Sequence, residues 1–326
     1  MKALVTGATG FIGGILCRSL QERGHAVRAA VRHPQAVADL LSQGIEVVTV
    51  GSIGKTTDWK TALSGCEAVF HCAGLAHGEA GRWQSSPDQY REINAEGTKK
   101  LAETAAAQGV HRLVYVSSIG VLGNQTDGDS RFSEKDQPRP QGPYAISKWE
   151  AETHLRKVER NSGLEGVVVR PPLVYGAGAK GNFPRLVKWV SSGWPLPLAS
   201  IRNRRAWVSV GNLVDLLIRC GEDPRAKGKT FLVADEEETS TPDFVRRIAL
   251  AWGVPARLFP MPTWFLRMAG RWIGKSSEVA RLVGSLRLDI RWAKTELGWH
   301  PRFSMAQELK NAAQSWRAYQ GAREKI

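Results

Sequence analysis

The chain has 326 residues, with 45 Lys and Arg against 31 Asp and Glu, a formal net charge of +14 at pH 7. Hydrophobic residues make up 42% and charged residues 23%, which excludes a disordered or low-complexity chain, and this length can bury roughly 75% of its unfolded surface without a staple. The positive excess asks for an anionic partner (nucleic acid, an anionic membrane surface or a phosphate-bearing small molecule) or else serves only solubility.

Lys2–Thr6 reads as a short apolar strand, and Phe11–Arg23 as a helix with Phe11, Ile12, Ile15, Leu16 and Leu20 on one face, ended by Gly24. Val27–Val31 is strand-like, Pro34–Gln43 helical, and Ile45–Val50 a buried strand. A short helix over Thr57–Leu63 leads to a strand at Ala68–Cys72, and a long helix runs from about Ser86 to Gln108, stopped by Gly109. Leu113–Ser117, a helix over Tyr144–Arg160 and a strand over Gly166–Arg170 follow, the last stopped by Pro171 and Pro172. Such βαβ repetition with near-continuous apolar strands predicts an α/β fold, a Rossmann-type doubly wound parallel sheet. Beyond about residue 175 the rhythm loosens. The expectation is a nucleotide-binding domain over 1–175 and a smaller C-terminal substrate-binding region over 176–326, some of whose elements return to the main sheet.

The cysteines, Cys17, Cys66, Cys72 and Cys220, form no CxxC pair and no zinc-type cluster, so neither a disulfide framework nor a metal is expected. No apolar run approaches the roughly 18–20 residues of a membrane span. The N-terminal run is broken by glycines and reads as the first strand rather than a signal peptide. A reducing, cytoplasmic location is the expectation.

Gly7, Gly10 and Gly13 form GxxGxxG between the first strand and the first helix. That context suits a dinucleotide: a tight turn, backbone that can approach a pyrophosphate, and a helix N-terminus with free N–H groups. At the end of the second strand, where an acid commonly holds the ribose hydroxyl, stand Val31 and Arg32. A guanidinium in place of a carboxylate favours NADP(H), with NAD(H) as the alternative. Tyr144 and Lys148 are spaced i, i+4, so phenol and ammonium share one helical face. The expectation is that Lys148 lowers the phenol's pKa and makes Tyr144 an acid/base. Ser117 and Ser118 end the preceding strand. Asn94 could be a helix cap; His71 and His111 read as packed or surface side chains with no carboxylate placed near them; Tyr175 reads as packing.

The chain resembles the extended short-chain dehydrogenases/reductases, the NAD-dependent epimerase/dehydratase type. TGATGFIGG, which includes Thr9, Phe11 and Ile12, matches their N-terminal loop; Cys72-Ala73-Gly74 matches the turn on the nicotinamide side. Asn94-Ala-Glu-Gly-Thr98, Tyr144-Ala-Ile-Ser-Lys148, Arg170-Pro171-Pro-Leu-Val-Tyr-Gly176 and Glu296-Leu-Gly-Trp-His-Pro301 match later motifs, so the likeness spans essentially the whole chain. It implies Ser118 as the catalytic hydroxyl beside Tyr144 and Lys148, and cofactor contacts from the glycine loop, Arg32, Ser52, Ile53, Cys72–Gly74, Asn94 and Pro171. Ser52 stands where the family has an acid for the adenine. Ile119 and Gly120 replace the Asp-Glu pair of nucleotide-sugar 4,6-dehydratases, so that elimination chemistry is not expected.

Substrate contacts implied by the resemblance are Ser118, Tyr144, Asn182, Arg205 and Arg281, the last three for a nucleotide diphosphate. SKWEAE (147–152), WPLPLAS (194–200) and RLVGSL (281–286) look like bacterial enzymes acting on UDP-N-acetyl-6-deoxyhexoses. The nearest type is the UDP-N-acetylquinovosamine 4-reductase, with UDP-hexose 4-epimerase as the alternative and a non-catalytic NAD(P) sensor as a second one. The implied partner is a UDP-sugar, without nucleic acid; a homodimer is open. Arg257–Arg302 holds nine Lys/Arg and three Asp/Glu among Trp264, Phe265, Trp272, Trp292 and Trp299. Packing of a substrate region is the first reading of those aromatics, peripheral membrane contact another.

Overall fold

The computed structural model of the chain describes residues 1–33, 37–76 and 86–323. In chain order the elements to residue 175 are β1 (Lys2–Thr6), α1 (Phe11–Glu22), β2 (Ala26–Val31), α2 (Ala38–Ser42), β3 (Glu46–Thr49), α3 (Lys60–Leu63), β4 (Ala68–His71), α4 (Pro87–Tyr90), a π-helical turn (Arg91–Glu96), α5 (Gly97–Ala107), β5 (Arg112–Val116), α6 (Pro143–Arg160), β6 (Glu165–Arg170) and β7 (Leu173–Tyr175). Then come α7 (Asn182–Ser191), β8 (Trp207–Ser209), α8 (Val210–Glu222), β9 (Thr230–Leu232), α9 (Thr241–Trp252), α10 (Thr263–Trp272), α11 (Ser276–Val283), α12 (Arg291–Leu297) and α13 (Met305–Arg323).

Seven parallel strands form the main sheet in the order β3-β2-β1-β4-β5-β6-β9. The order reverses between β1 and β4, and the crevice beyond the carboxyl ends of those strands is where such sheets bind ligands. Both sheet faces are covered. Leu16 and Leu20 of α1 pack with Leu213, Leu216 and Leu217 of α8 on one face; Leu101 and Ala105 of α5 pack with Ala151 and Leu155 of α6 on the other. Burying a leucine fully is worth roughly 2 kcal/mol, so these stripes fix the helices firmly. The C-terminal half contributes β9 and α8 to this body, while Tyr175, Phe183, Trp207, Phe244 and Trp252 centre a second core.

Several expectations need correction. Ile45–Val50 is buried only at Ile45: β3 is the sheet's edge, and Val47 and Val48 are half-buried between exposed Glu46 and Thr49 because no strand covers its far side. The predicted helix at Thr57 begins only at Lys60, because Thr57 Oγ closes a turn instead, accepting from Gly54 N–H (2.9 Å) and donating to the Ser52 carbonyl (2.9 Å). Of the helix read over Pro34–Gln43, residues 34–36 lie outside the described residues and α2 spans Ala38–Ser42. The long helix from Ser86 is continuous but changes pitch at Arg91–Glu96. His111 does have a carboxylate near it: the β5–β6 register brings Glu165 Oε2 to 3.4 Å from its Nδ1.

Candidate active site

The glycine loop sits at the reversal point. Gly7 has φ +70°, and a Cβ there would meet Ala73 N at 2.8 Å; a Cβ on Gly13 would lie 2.2 Å from the Gly7 carbonyl oxygen. Only glycine allows backbone to pack on backbone this closely. Helix α1 has no side-chain cap and no acid in its first turn, so its N–H groups and positive dipole end are left for an anion. This chemistry fits a pyrophosphate, with Thr9, Gly10, Phe11 and Ile12 alongside. Arg32 and His33 follow β2, both exposed, and Arg32 has no hydrogen bond or ion pair among the described residues. Ser52 is exposed, and Ile53 lies against Gly97, whose Cβ would meet its Cγ2 at 2.5 Å.

Cys72–Gly74 follow β4 and are pinned from two sides. Thr6 Oγ accepts from Ala73 N–H at 3.2 Å. Asn94 holds Leu75 through both ends of its amide: Oδ1 accepts from Leu75 N–H (2.7 Å) and Nδ2 donates to the Leu75 carbonyl (3.0 Å). Its Nδ2 also lies 3.0 Å from Ser147 Oγ. Asn94 is therefore no cap but a clasp between α6 and the β4 turn. The π turn re-aims the helix at this residue, a common use of such turns. Below the turn, neutral His71 bridges Thr6 and Thr98, at 2.6 and 3.0 Å, and burial pushes its pKa down to about 3, with Lys148 adding to the shift.

Ser118 ends β5 and caps a short 3-10 turn, its Oγ accepting from Gly120 N–H at 3.1 Å. Gly142, at φ +82°, and Pro143 start α6 and deliver Tyr144 opposite Ser118, with which its phenol shares a hydrogen bond. Ser117 is directed elsewhere, donating to Glu152. The two adjacent serines are thus divided, Ser117 towards buried Glu152 and Ser118 towards Tyr144.

Lys148 lies one turn beyond Tyr144, buried, donating to the Val116 carbonyl (2.9 Å) with its Nζ 4.8 Å above the Tyr115 ring. Burial lowers its pKa to about 8, opposed by Cys72 and Glu152. The phenol goes the other way from the expected shift. Burial raises Tyr144 to about 12, Ser118 tempers the rise, and Lys148 is not among the causes, because its ammonium is turned to Val116. Tyr144 therefore holds its proton here, while Lys148 carries most of its charge at neutral pH.

Sequence reasoning missed the support beneath. Glu152 takes Arg170 Nε and Nη2 at 3.0 and 2.6 Å and the Ser117 hydroxyl, all buried. The available signal was Glu152 at i+4 from Lys148. Pro171 follows this pair, and its carbonyl accepts from Ile119 N–H (2.9 Å), tying β6 to the Ser118 turn.

The residues read as substrate contacts lie on the C-terminal side. Asn182 is exposed at the first position of α7, whose N-terminus has no side-chain cap and no acid. Arg205 is buried and is held by backbone: its Nη1 donates to the carbonyls of Arg281 and Gly284. Burial and the neighbouring Arg281 charge lower its pKa to about 10. Arg281 itself lines a cleft of about 650 Å³ with Gly123, Asn124, Arg139 and Gln141, the segment between Ser118 and Tyr144. Tyr175 is packing, buried with its hydroxyl donating to Asp235 (2.6 Å). Packing also accounts for Trp299, but Trp264, Phe265 and Trp272 are exposed, so the packing reading of that aromatic set fails for most of it.

Comparison with known proteins identifies the family. The chain is 39% identical over 315 residues to a UDP-glucose 4-epimerase of Vibrio cholerae, covering 96% of this chain and 94% of that one. Among solved structures, a UDP-glucuronic acid 4-epimerase of Bacillus cereus in complex with NAD matches at a TM-score of 0.79 and 22% identity, covering 98% of both chains. MoeE5, in complex with UDP-glucose and NAD, matches at 0.77 and 24%, covering 98% of this chain and all of that one. Residues 3–234 match the NAD dependent epimerase/dehydratase family, and the chain belongs to it as an enzyme of the extended short-chain dehydrogenase/reductase type.

Proposed function

We propose that the enzyme moves a hydride at C4 of a UDP-linked hexose, and that its reaction is reduction of a UDP-4-keto-6-deoxy-N-acetylhexosamine with NADPH. The observation that carries the reading is the Ser118–Tyr144 pair, with Lys148 one turn away, beyond the carboxyl end of β5, the strand next to β4 at the sheet's reversal point. A nicotinamide dinucleotide supplies the hydride when bound. The chain does the rest. Ser118 donates to the C4 oxygen and orients it, and Tyr144 gives its proton to that oxygen as negative charge develops. A phenol that holds its proton is the form this direction consumes. Lys148 supplies positive charge beneath the site, and the α1 N-terminus holds the pyrophosphate of the dinucleotide.

Two neighbouring guanidiniums, Arg205 and Arg281, favour an anionic guest between them, burial and then the Arg281 charge making Arg205 costly to ionise, and the uncapped α7 start with Asn182 offers a second anchor. These suit a nucleoside diphosphate. The unpartnered Arg32 supports the 2′-phosphate of NADP(H) over NAD(H). The Vibrio cholerae relative favours a second reading, 4-epimerisation of a UDP-hexose or UDP-N-acetylhexosamine with retained NAD.

One experiment separates them. The protein is incubated with NADPH or NADH and the 4-keto sugar, alongside UDP-GlcNAc and UDP-glucose. Oxidation of the reduced cofactor by the keto sugar alone is the expected result; interconversion of C4 epimers without net cofactor use establishes the epimerase instead.

A further inference from the structure

Helix α10 is apolar on the wrong side as well as the right one. Its inner face packs normally: Gly270 is its one buried residue, resting on Val279 of α11, and Leu266 joins the C-terminal core. Its outer face carries Trp264, Met268 and Trp272 at successive four-residue steps, which form one stripe. Trp264 is 64% and Trp272 81% exposed, with Phe265 and Ile273 exposed beside them. Further exposed tryptophans lie near the neighbouring loop. Backbone bonds from Leu196 to Arg257 (2.8 Å) and from Phe259 to Leu196 (3.0 Å) set that loop beside the approach to α10, adding Trp194, 74% exposed, and Trp189 of α7. Exposed aromatic side chains gathered in this way mark an interaction site.

Charge says what kind. Residues 255–275 hold Arg257, Arg267, Arg271 and Lys275 and no acid; residues 166–214 hold no acid either. Elsewhere in the basic C-terminal region, Arg281 apart, the cations are matched: Arg287 with Asp129 and Glu238, Arg291 with Asp289, Lys294 with Glu236, Arg302 with Asp215. Arg267, Arg271 and Lys275 have no ion pair among the described residues. Arg267 and Arg271 each precede a stripe residue, so they flank the apolar face with stems long enough to reach past it.

We propose that this face of α10, with Trp189 and Trp194, docks on an anionic phospholipid bilayer, the aromatic stripe entering the headgroup region and the arginines meeting lipid phosphates. A second copy of the chain would set cation against cation, and a nucleic acid would leave Met268 and Ile273 without a role. Because α11 packs on α10 and its other side lines the Arg281 cleft, docking sets the lip of that cleft at the lipid surface. The proposal is independent of the sugar reading.

The test is flotation of the full chain with vesicles of phosphatidylcholine alone or mixed with phosphatidylglycerol, at low and high salt. Binding to the mixed vesicles alone, released by salt, is expected. Trp264→Ser with Trp272→Ser reduces it to background, and Arg267→Ala and Arg271→Ala weaken it about fivefold each, with turnover of soluble substrate unchanged in all three. The proposal is overturned if the native protein ignores anionic vesicles, or if the double tryptophan variant binds them undiminished. It is equally overturned if that variant changes only the sedimentation of the protein, or if duplex nucleic acid is bound and vesicles are not.

Discussion

Glu152→Gln tests the support under Lys148. The substitution preserves shape but removes the charge that faces Arg170, which is 5% exposed, and sets an amide donor against guanidinium donors. Leaving one partner of a buried pair uncompensated costs about 3–5 kcal/mol. At roughly 2 °C per kcal/mol for a chain this long, Tm falls by roughly 6–10 °C. A second effect is independent of stability. Glu152 helps hold the Lys148 pKa up near 8, so its loss lowers that pKa, and the limb of the rate profile that follows Lys148 deprotonation moves to lower pH. Replacing the pair together, Glu152→Leu with Arg170→Met, recovers most of the lost stability yet leaves the limb displaced. Scanning calorimetry and a pH–rate profile measure the two effects. A Tm within about 1 °C of wild type together with an unmoved limb would refute the reasoning.

Tyr144→Phe lowers turnover by about 10²–10⁴-fold, the usual worth of a positioned acid, while dinucleotide affinity measured by calorimetry stays the same; near-native turnover removes Tyr144 from its role. His71 makes acid destabilising: its unfolded imidazole takes a proton below about pH 6.5 and the folded one only below about 3, so the unfolded state binds the extra proton in that window. Stability present above pH 6.5 is therefore lost as pH falls towards 3, by about 2 kcal/mol at pH 5. Urea titrations at pH 7 and 5 should show a smaller difference for His71→Gln, and an identical difference contradicts the argument. Arg32→Asp lowers the preference for NADPH over NADH by roughly ten- to a hundredfold, the worth of a charge-assisted bond; an unchanged kcat/KM ratio excludes Arg32 from the 2′-phosphate.

What the sequence disclosed is what local spacing encodes. The strand–glycine–helix start was legible because only glycines permit the contacts of Gly7 and Gly13, and the i, i+4 spacing placed Tyr144 over Lys148. The direction of the phenol's shift was not legible, because it depends on where Nζ points, and Val116 takes it. The half-exposed β3 was misread because a Val-Val run looks the same at a sheet's edge and at its centre. Glu165 beside His111, and the carbonyls that capture Arg205, come from partners 54 and 76–79 residues away, fixed only when strands choose their register.

The last strand of the sheet arrives late. Once Arg170 has been added to a growing chain, six strands exist, yet β6 keeps a bare edge until Leu232 and the apolar stripe of α1 stays open until α8 has formed. The chain up to β6 is consequently not a folding unit by itself. During synthesis it must pass through a stage with an unpaired strand edge and exposed leucines, the kind of surface on which chaperones act and chains aggregate. A cut near residue 175, natural as it looks in the sequence, would leave the molecule at that stage permanently.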